Sequence, residues 1–145
     1  MPYHEGQRLM DHSHGESLMF TLSKTKQVEA AHQLPYHDGK CRGLHGHTWT
    51  ITVQVRGKAL NVTGPKRGML FDYYDIGVLM KEHVEVLDHR FLNDLFENPT
   101  SEVIAEALFN AMAPRVATMS GGMAELARVL VSETQNSLAE YGVDA

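Results

Sequence analysis

Apolar and polar positions alternate most clearly over residues 45–56, HGHTWTITVQVR, where Trp49, Ile51, Val53 and Val55 fall on one side of an extended chain. His45 and His47 share that parity, so the two imidazoles stand at the end of the apolar face. Residues 18–33 read as a preceding strand of imperfect alternation. Its polar run Lys24–Gln27 implies a bulge or an exposed face. The loop between the two strands is marked by Pro35, Gly39 and Gly43. Past a turn region with Gly64, Pro65 and Gly68, the spacing of Ile76, Leu79, Met80, His83, Val84 and Leu87 predicts a helix over about 75–87, capped by Asp72 or Asp75. A second helix is predicted from Pro99 or Thr100, through Val103, Ile104, Ala107, Leu108 and Met112, to a stop at Pro114. The stretch between them, DHRFLNDLFENP, reads as irregular. After a loop at Gly121-Gly122, strands are predicted over 126–134 and about 137–141, joined at Gln135-Asn136.

The predicted order is β-β-α-α-β-β. Strands and helices do not alternate one by one. The expected fold is therefore α+β, a four-stranded antiparallel sheet with both helices on one face. Two open edges in so small a sheet predict oligomerisation.

At 145 residues the chain fits one domain, read as residues 18–145 behind an N-terminal tail of residues 1–17. The tail carries His4, His12 and His14, which are set aside as solvated. A formal net charge of −5 argues against a nucleic-acid or anionic-membrane surface. A single cysteine, Cys41, excludes an internal disulfide and suits a reducing compartment. Neither a membrane-length apolar run nor a secretory h-region is present, so the expected location is the cytoplasm.

His45 and His47, at i and i+2 on a strand, point to the same side, with Gly46 leaving room on the other. Two such imidazoles suit one tetrahedral metal, and His32 at the end of the preceding strand is placed to supply a third. Three histidines with an open fourth position describe a catalytic zinc site. With one cysteine, a thiolate-rich structural zinc site is excluded. The spacing is equally that of two polar residues at a strand start. Cys41 precedes the HGH element; a thiol near a cation is an acid–base group or nucleophile, while most lone cysteines are small buried hydrophobes. Asp88-His89 reads either as a carboxylate-tuned imidazole or as a solvated helix end. Glu133 is either an exposed strand-end charge or an acceptor for a guanidine-like edge such as that of a pterin.

Taken in order, EAAHQL at His32, CRGLHGHTW, RGMLFDY at Asp72, LDHRFLN at Asp88-His89, NPTSE at Thr100 and SETQNSLAEY at Glu133 resemble the 6-pyruvoyltetrahydropterin synthase/6-carboxytetrahydropterin synthase family, from about Phe20 to Tyr141. The resemblance implies the tunnelling fold, in which trimers form a barrel and two trimers stack into a homohexamer with active sites between subunits. It implies zinc held by His32, His45 and His47, Cys41 as the proton-abstracting base, Asp88 and His89 as its relay partners, and Glu133 as the pterin anchor. Thr100, Ser101 and Glu102 match the segment lining the pterin pocket. The three-residue CxxxHGH spacing resembles the bacterial 6-carboxytetrahydropterin synthases of queuosine and 7-deazapurine synthesis.

The implied reaction converts 7,8-dihydroneopterin triphosphate to 6-carboxytetrahydropterin with release of acetaldehyde and triphosphate. The partner is a small-molecule pterin. The alternatives are triphosphate elimination to 6-pyruvoyltetrahydropterin and a non-catalytic pterin- or purine-binding module. No dinucleotide fingerprint or P-loop is present, consistent with chemistry that needs no nicotinamide or flavin. Lys24, Lys26, Arg42, Lys66 and Arg67 are the candidate triphosphate cations. The pattern departs from the family at Lys26-Gln27-Val28, where an aromatic-rich strand is usual, and in the tail.

Overall fold

A computed structural model describes residues 18–144. The expected tail, with its three histidines, lies outside them. Strand β1 (Phe20–His32) pairs antiparallel with β2 (His45–Gly57) in one unbroken register, from Phe20 opposite Gly57 to His32 opposite His45. The polar run Lys24–Gln27 therefore makes no bulge. It is a regular stretch whose Thr25 and Gln27 are exposed, with the Thr25 and Thr52 hydroxyls 2.8 Å apart across the strands.

Strand β4 (Glu125–Thr134) joins the far side of β2, and β5 (Ser137–Gly142) joins β4, both antiparallel. Helices α1 (Tyr73–His83) and α2 (Ser101–Met119) supply Ile76, Leu79, Met80, Ile104, Leu108, Met112 and Val116 to the core. These pack with Trp49, Ile51, Val53 and Val55 of β2 and Val129 and Val131 of β4. The alternation read from the sequence is thus the core face of the sheet.

The sheet has five strands and is mixed, not four antiparallel ones. A two-residue strand, β3 (Arg90–Phe91), runs parallel to β1 with Arg90 opposite Ala30 and Phe91 opposite Ala31, and the order is β3-β1-β2-β4-β5. Two residues carry no periodicity; tertiary contact alone creates this strand.

Both helices also differ from expectation at their ends. Asp72 caps α1 by accepting from the Tyr74 N–H, and α1 stops at His83, with residues 85–87 in a separate 3-10 turn. Thr100 caps α2 by accepting from the Val103 N–H, 3.1 Å away. Pro114 does not end α2. The helix continues to Met119, because Pro removes one backbone donor while the buried Met112 and Val116 hold the turns on either side against the core. Gly121 and Gly122, at φ 61° and 85°, then reverse the chain in a region that favours glycine.

Candidate metal centre

The β1–β2 register places three imidazoles on one patch. His32 ends β1, His45 lies directly across from it, and His47 lies two residues further along β2 on the same face. The ring centroids of His32 and His45 are 4.5 Å apart, those of His45 and His47 4.9 Å, and those of His32 and His47 5.1 Å. One ligand atom from each ring lies within 4.8 Å of those of the others.

Their hydrogen bonds decide which nitrogen is available. His32 Nδ1 is 2.7 Å from the Pro99 carbonyl, and His45 Nδ1 is 2.7 Å from the Gly43 carbonyl. A carbonyl only accepts, so both Nδ1 atoms carry the proton and both Nε2 lone pairs remain open. His32 is fully buried, and the Nε2 atoms of His32 and His47 are buried with no hydrogen-bond partner. Leaving such atoms unpaired is costly unless something else binds them. Donor type, tautomer and orphaned nitrogens together fit a divalent metal such as zinc.

Burial pushes the pKa of His32 down, against the opposing pull of the Pro99 hydrogen bond and the Glu133 charge. It does the same to His47, against Glu133. Burial thereby favours the neutral form of both rings. Trp49 supports them from the core side, its ring centroid 4.9 Å from that of His32 and 5.3 Å from that of His47. Its indole N–H donates to the Ala30 carbonyl over 3.1 Å, which fixes the ring.

Glu133 comes to this centre. It shares the parity of Val129 and Val131 on β4, and its Oε2 lies 3.7 Å from His47 Nε2. The N-terminus of α2 comes with it, since Pro99, immediately before Thr100, holds His32. Ser101 Oγ donates to Glu102 Oε1 over 2.8 Å, while Thr100 serves as the helix cap.

Cys41 sits half-buried on a single 3-10 turn, Lys40–Arg42, and its carbonyl accepts from the Leu34 N–H at 3.0 Å, closing the β1–β2 loop. It is not a member of the three-histidine cluster.

Asp88 and His89 form a pair elsewhere. Asp88 Oδ1 accepts from the Glu29 N–H over 2.8 Å, and Oδ2 lies 3.1 Å from His89 Nδ1. The Glu29 N–H, ahead of the imidazole, holds the Asp88 carboxyl below the usual carboxylate range. His89 takes φ 58°, rare for a residue with a side chain, and its N–H donates to the Glu29 carbonyl. It borders a concavity of about 540 Å³ whose lining includes Glu29, Ala31, Gly46 and Thr48 and also Ala30 and His47. The lining therefore draws on both parities of the β1–β2 hairpin. Asp88 and His89 are not members of the three-histidine cluster, but His89 shares this concavity with His47. Of the candidate triphosphate cations, Lys26 is ion-paired with Glu85 and Lys66 with Asp72.

The sequence gives no sign of the two carbonyls that set the histidine tautomers, because every residue carries one. Trp49 reads from sequence as core; its role beside the ligands is a product of packing.

A family model described as 6-pyruvoyl tetrahydropterin synthase matches residues 21–144. The chain is 40% identical over 129 residues to the 6-carboxy-5,6,7,8-tetrahydropterin synthase of Synechocystis sp., spanning 85% of this chain and 93% of that protein. It is 30% identical to the enzyme of the same name from Bacillus subtilis, spanning 84% of each. The solved structure of Caenorhabditis elegans 6-pyruvoyl tetrahydropterin synthase superposes with a TM-score of 0.68 at 24% identity, covering 88% of this chain and 98% of that one, and so shares the fold. The chain belongs to the 6-pyruvoyl tetrahydropterin synthase family. No described helix is long and apolar enough to cross a membrane.

Proposed function

We propose that this protein is a zinc-dependent carbon–carbon lyase that converts 7,8-dihydroneopterin triphosphate and water to 6-carboxy-5,6,7,8-tetrahydropterin, acetaldehyde and triphosphate. The observation that carries the reading is the cluster of His32, His45 and His47 with two orphaned Nε2 atoms, set beside the Glu133 carboxylate. The names of the relatives from Synechocystis sp. and Bacillus subtilis support the carboxy product.

His32, His45 and His47 would hold the ion, which supplies Lewis-acid polarisation of side-chain oxygens when bound. Glu133 accepts hydrogen bonds from the 2-amino edge of the pterin and fixes the ring, with Thr100, Ser101 and Glu102 lining the pocket. Cys41 removes or relays a carbon-bound proton, and Asp88 with His89 is the second acid–base unit. The complete site is read as lying between copies of the chain, as the family resemblance implies. The assembly read from that resemblance is a homohexamer of two stacked trimers. The reaction belongs to queuosine or 7-deazapurine biosynthesis in the cytoplasm.

The test is turnover of 7,8-dihydroneopterin triphosphate by purified, zinc-loaded protein, following acetaldehyde and the pterin product, with Cys41→Ala alongside. Acetaldehyde with the carboxypterin, lost in the variant, is the expected result. A pyruvoyl product without acetaldehyde assigns triphosphate elimination instead, and no turnover leaves a pterin-binding module.

A further inference from the structure

The stretch 88–99 touches β1 at more points than its two-residue strand requires. Asn93, on the 3-10 turn Leu92–Asp94, makes two hydrogen bonds to the backbone of one residue, Gln33, where the chain leaves β1. The Gln33 N–H donates to Asn93 Oδ1 over 2.9 Å, and Asn93 Nδ2 donates to the Gln33 carbonyl over 2.8 Å. A carboxamide has the same donor and acceptor as a peptide, so Asn93 serves as an extra rung of the sheet where β3 turns away. At the other end of β3, the Glu29 N–H donates to Asp88 and the His89 N–H donates to the Glu29 carbonyl. The backbone of Ala30 and Ala31 lies between, paired with Arg90 and Phe91.

His32 immediately precedes the clasped Gln33. Its ring is bonded to Pro99, six residues after Asn93 on the same stretch. One stretch thus holds the His32 backbone through Asn93 and the His32 ring through Pro99. Leu92, nearly fully buried, anchors that stretch to the core beside Asn93. We infer that Asn93 is a positioning residue of the metal centre: it sets His32 against the Pro99 carbonyl and ties this ligand to the segment bearing Asp88 and His89. This rests on the metal reading above. Asn93 has no contact with the ligand atoms and acts only through His32.

The test compares the full-length protein with Asn93→Ala, Asn93→Asp and the control Asn61→Ala. Asn61 makes a similar side-chain hydrogen bond, to the Met69 carbonyl over 2.9 Å, in a loop away from the histidines. Asn93→Asp keeps the acceptor and loses the donor, and remains informative if the alanine variant fails to fold.

Two readouts are taken: Zn²⁺ affinity by competition with a chromophoric chelator, and solvent exchange of the His32 Nδ1 proton in metal-free protein by NMR. Asn93→Ala is expected to weaken zinc binding by about 10- to 100-fold, the usual cost of losing a group that orients a ligand. Asn93→Asp should fall between it and wild type, and Asn61→Ala should be unchanged. The His32 proton should exchange faster in both Asn93 variants. Unchanged zinc affinity in folded Asn93 variants overturns the inference and leaves the metal reading standing. A wild-type protein that takes up no zinc overturns the metal reading and this role for Asn93 with it, whatever the exchange rates.

Discussion

His32 and His45 face one another as a directly opposed pair across the β1–β2 ladder, with ring centroids 4.5 Å apart and each Nδ1 held by a backbone carbonyl. The two carbonyls, of Pro99 and Gly43, come from different loops. The available nitrogens are thus selected before any ion arrives, and less ordering remains to be done on binding.

Replacing a ligand should empty the centre. His45→Ala and His47→Ala are each expected to reduce bound zinc from one ion per chain to near none at micromolar metal. Elemental analysis after dialysis checks this. Removing the metal from wild type with a chelator should lower its thermal midpoint, since an ion present at about 100 times its Kd stabilises the fold by about 2.7 kcal/mol.

Acidification should destabilise the metal-free protein. Burial holds the pKa values of His32 and His47 below the ordinary histidine value of about 6.5. Between those lowered values and about 6.5, the unfolded chain binds more protons than the folded one, so stability falls as pH drops through that window and is full above it. Denaturant midpoints of apoprotein from about pH 7.5 to 5 measure the slope. His47→Gln should flatten it, and a midpoint that rises toward acid would contradict the account.

The proposed acid–base groups should separate from the proposed metal ligands. Cys41→Ala, Asp88→Asn and His89→Ala are expected to lower kcat by about 10²- to 10⁴-fold, the usual scale for a lost general acid or base. Zinc content should stay at wild-type level in all three, because none belongs to the three-histidine cluster. Parallel loss of metal would show that they act on the fold of the site.

Glu133→Gln should act mainly on pterin binding. Losing hydrogen bonds to a charged group costs about 1.5–3 kcal/mol, or roughly a 10- to 100-fold rise in KM. Titration of the variant with a pterin analogue reads this without turnover.

Trp49→Ala should be the costliest of these changes for stability, at about 3–5 kcal/mol by denaturation, because it opens a cavity in the core. It also removes the ring packed against His32 and His47.

The sequence by itself determined the central hairpin and most of the three-histidine cluster. Strict alternation along β2 sets which side chains share a face, so His45, His47, Trp49 and Ile51 had to lie together. The same period placed Glu133 with Val129 and Val131 on β4. Asp72 was legible as one of two cap candidates, with Asp75, because a short oxygen-bearing side chain satisfies free N–H groups at a helix start.

Only the tertiary structure decided the rest. The parallel β3 exists because Glu29, Gln33, Asp88 and Asn93 meet across nearly 60 residues of chain, and no local pattern encodes a two-residue pairing. α2 runs past Pro114 because core packing outweighs one missing donor. Only the folded chain brings His89, from beyond α1, to a concavity that His47 also lines. Which nitrogens stay open was settled by the Pro99 and Gly43 carbonyls, groups common to every residue and selected by distance alone.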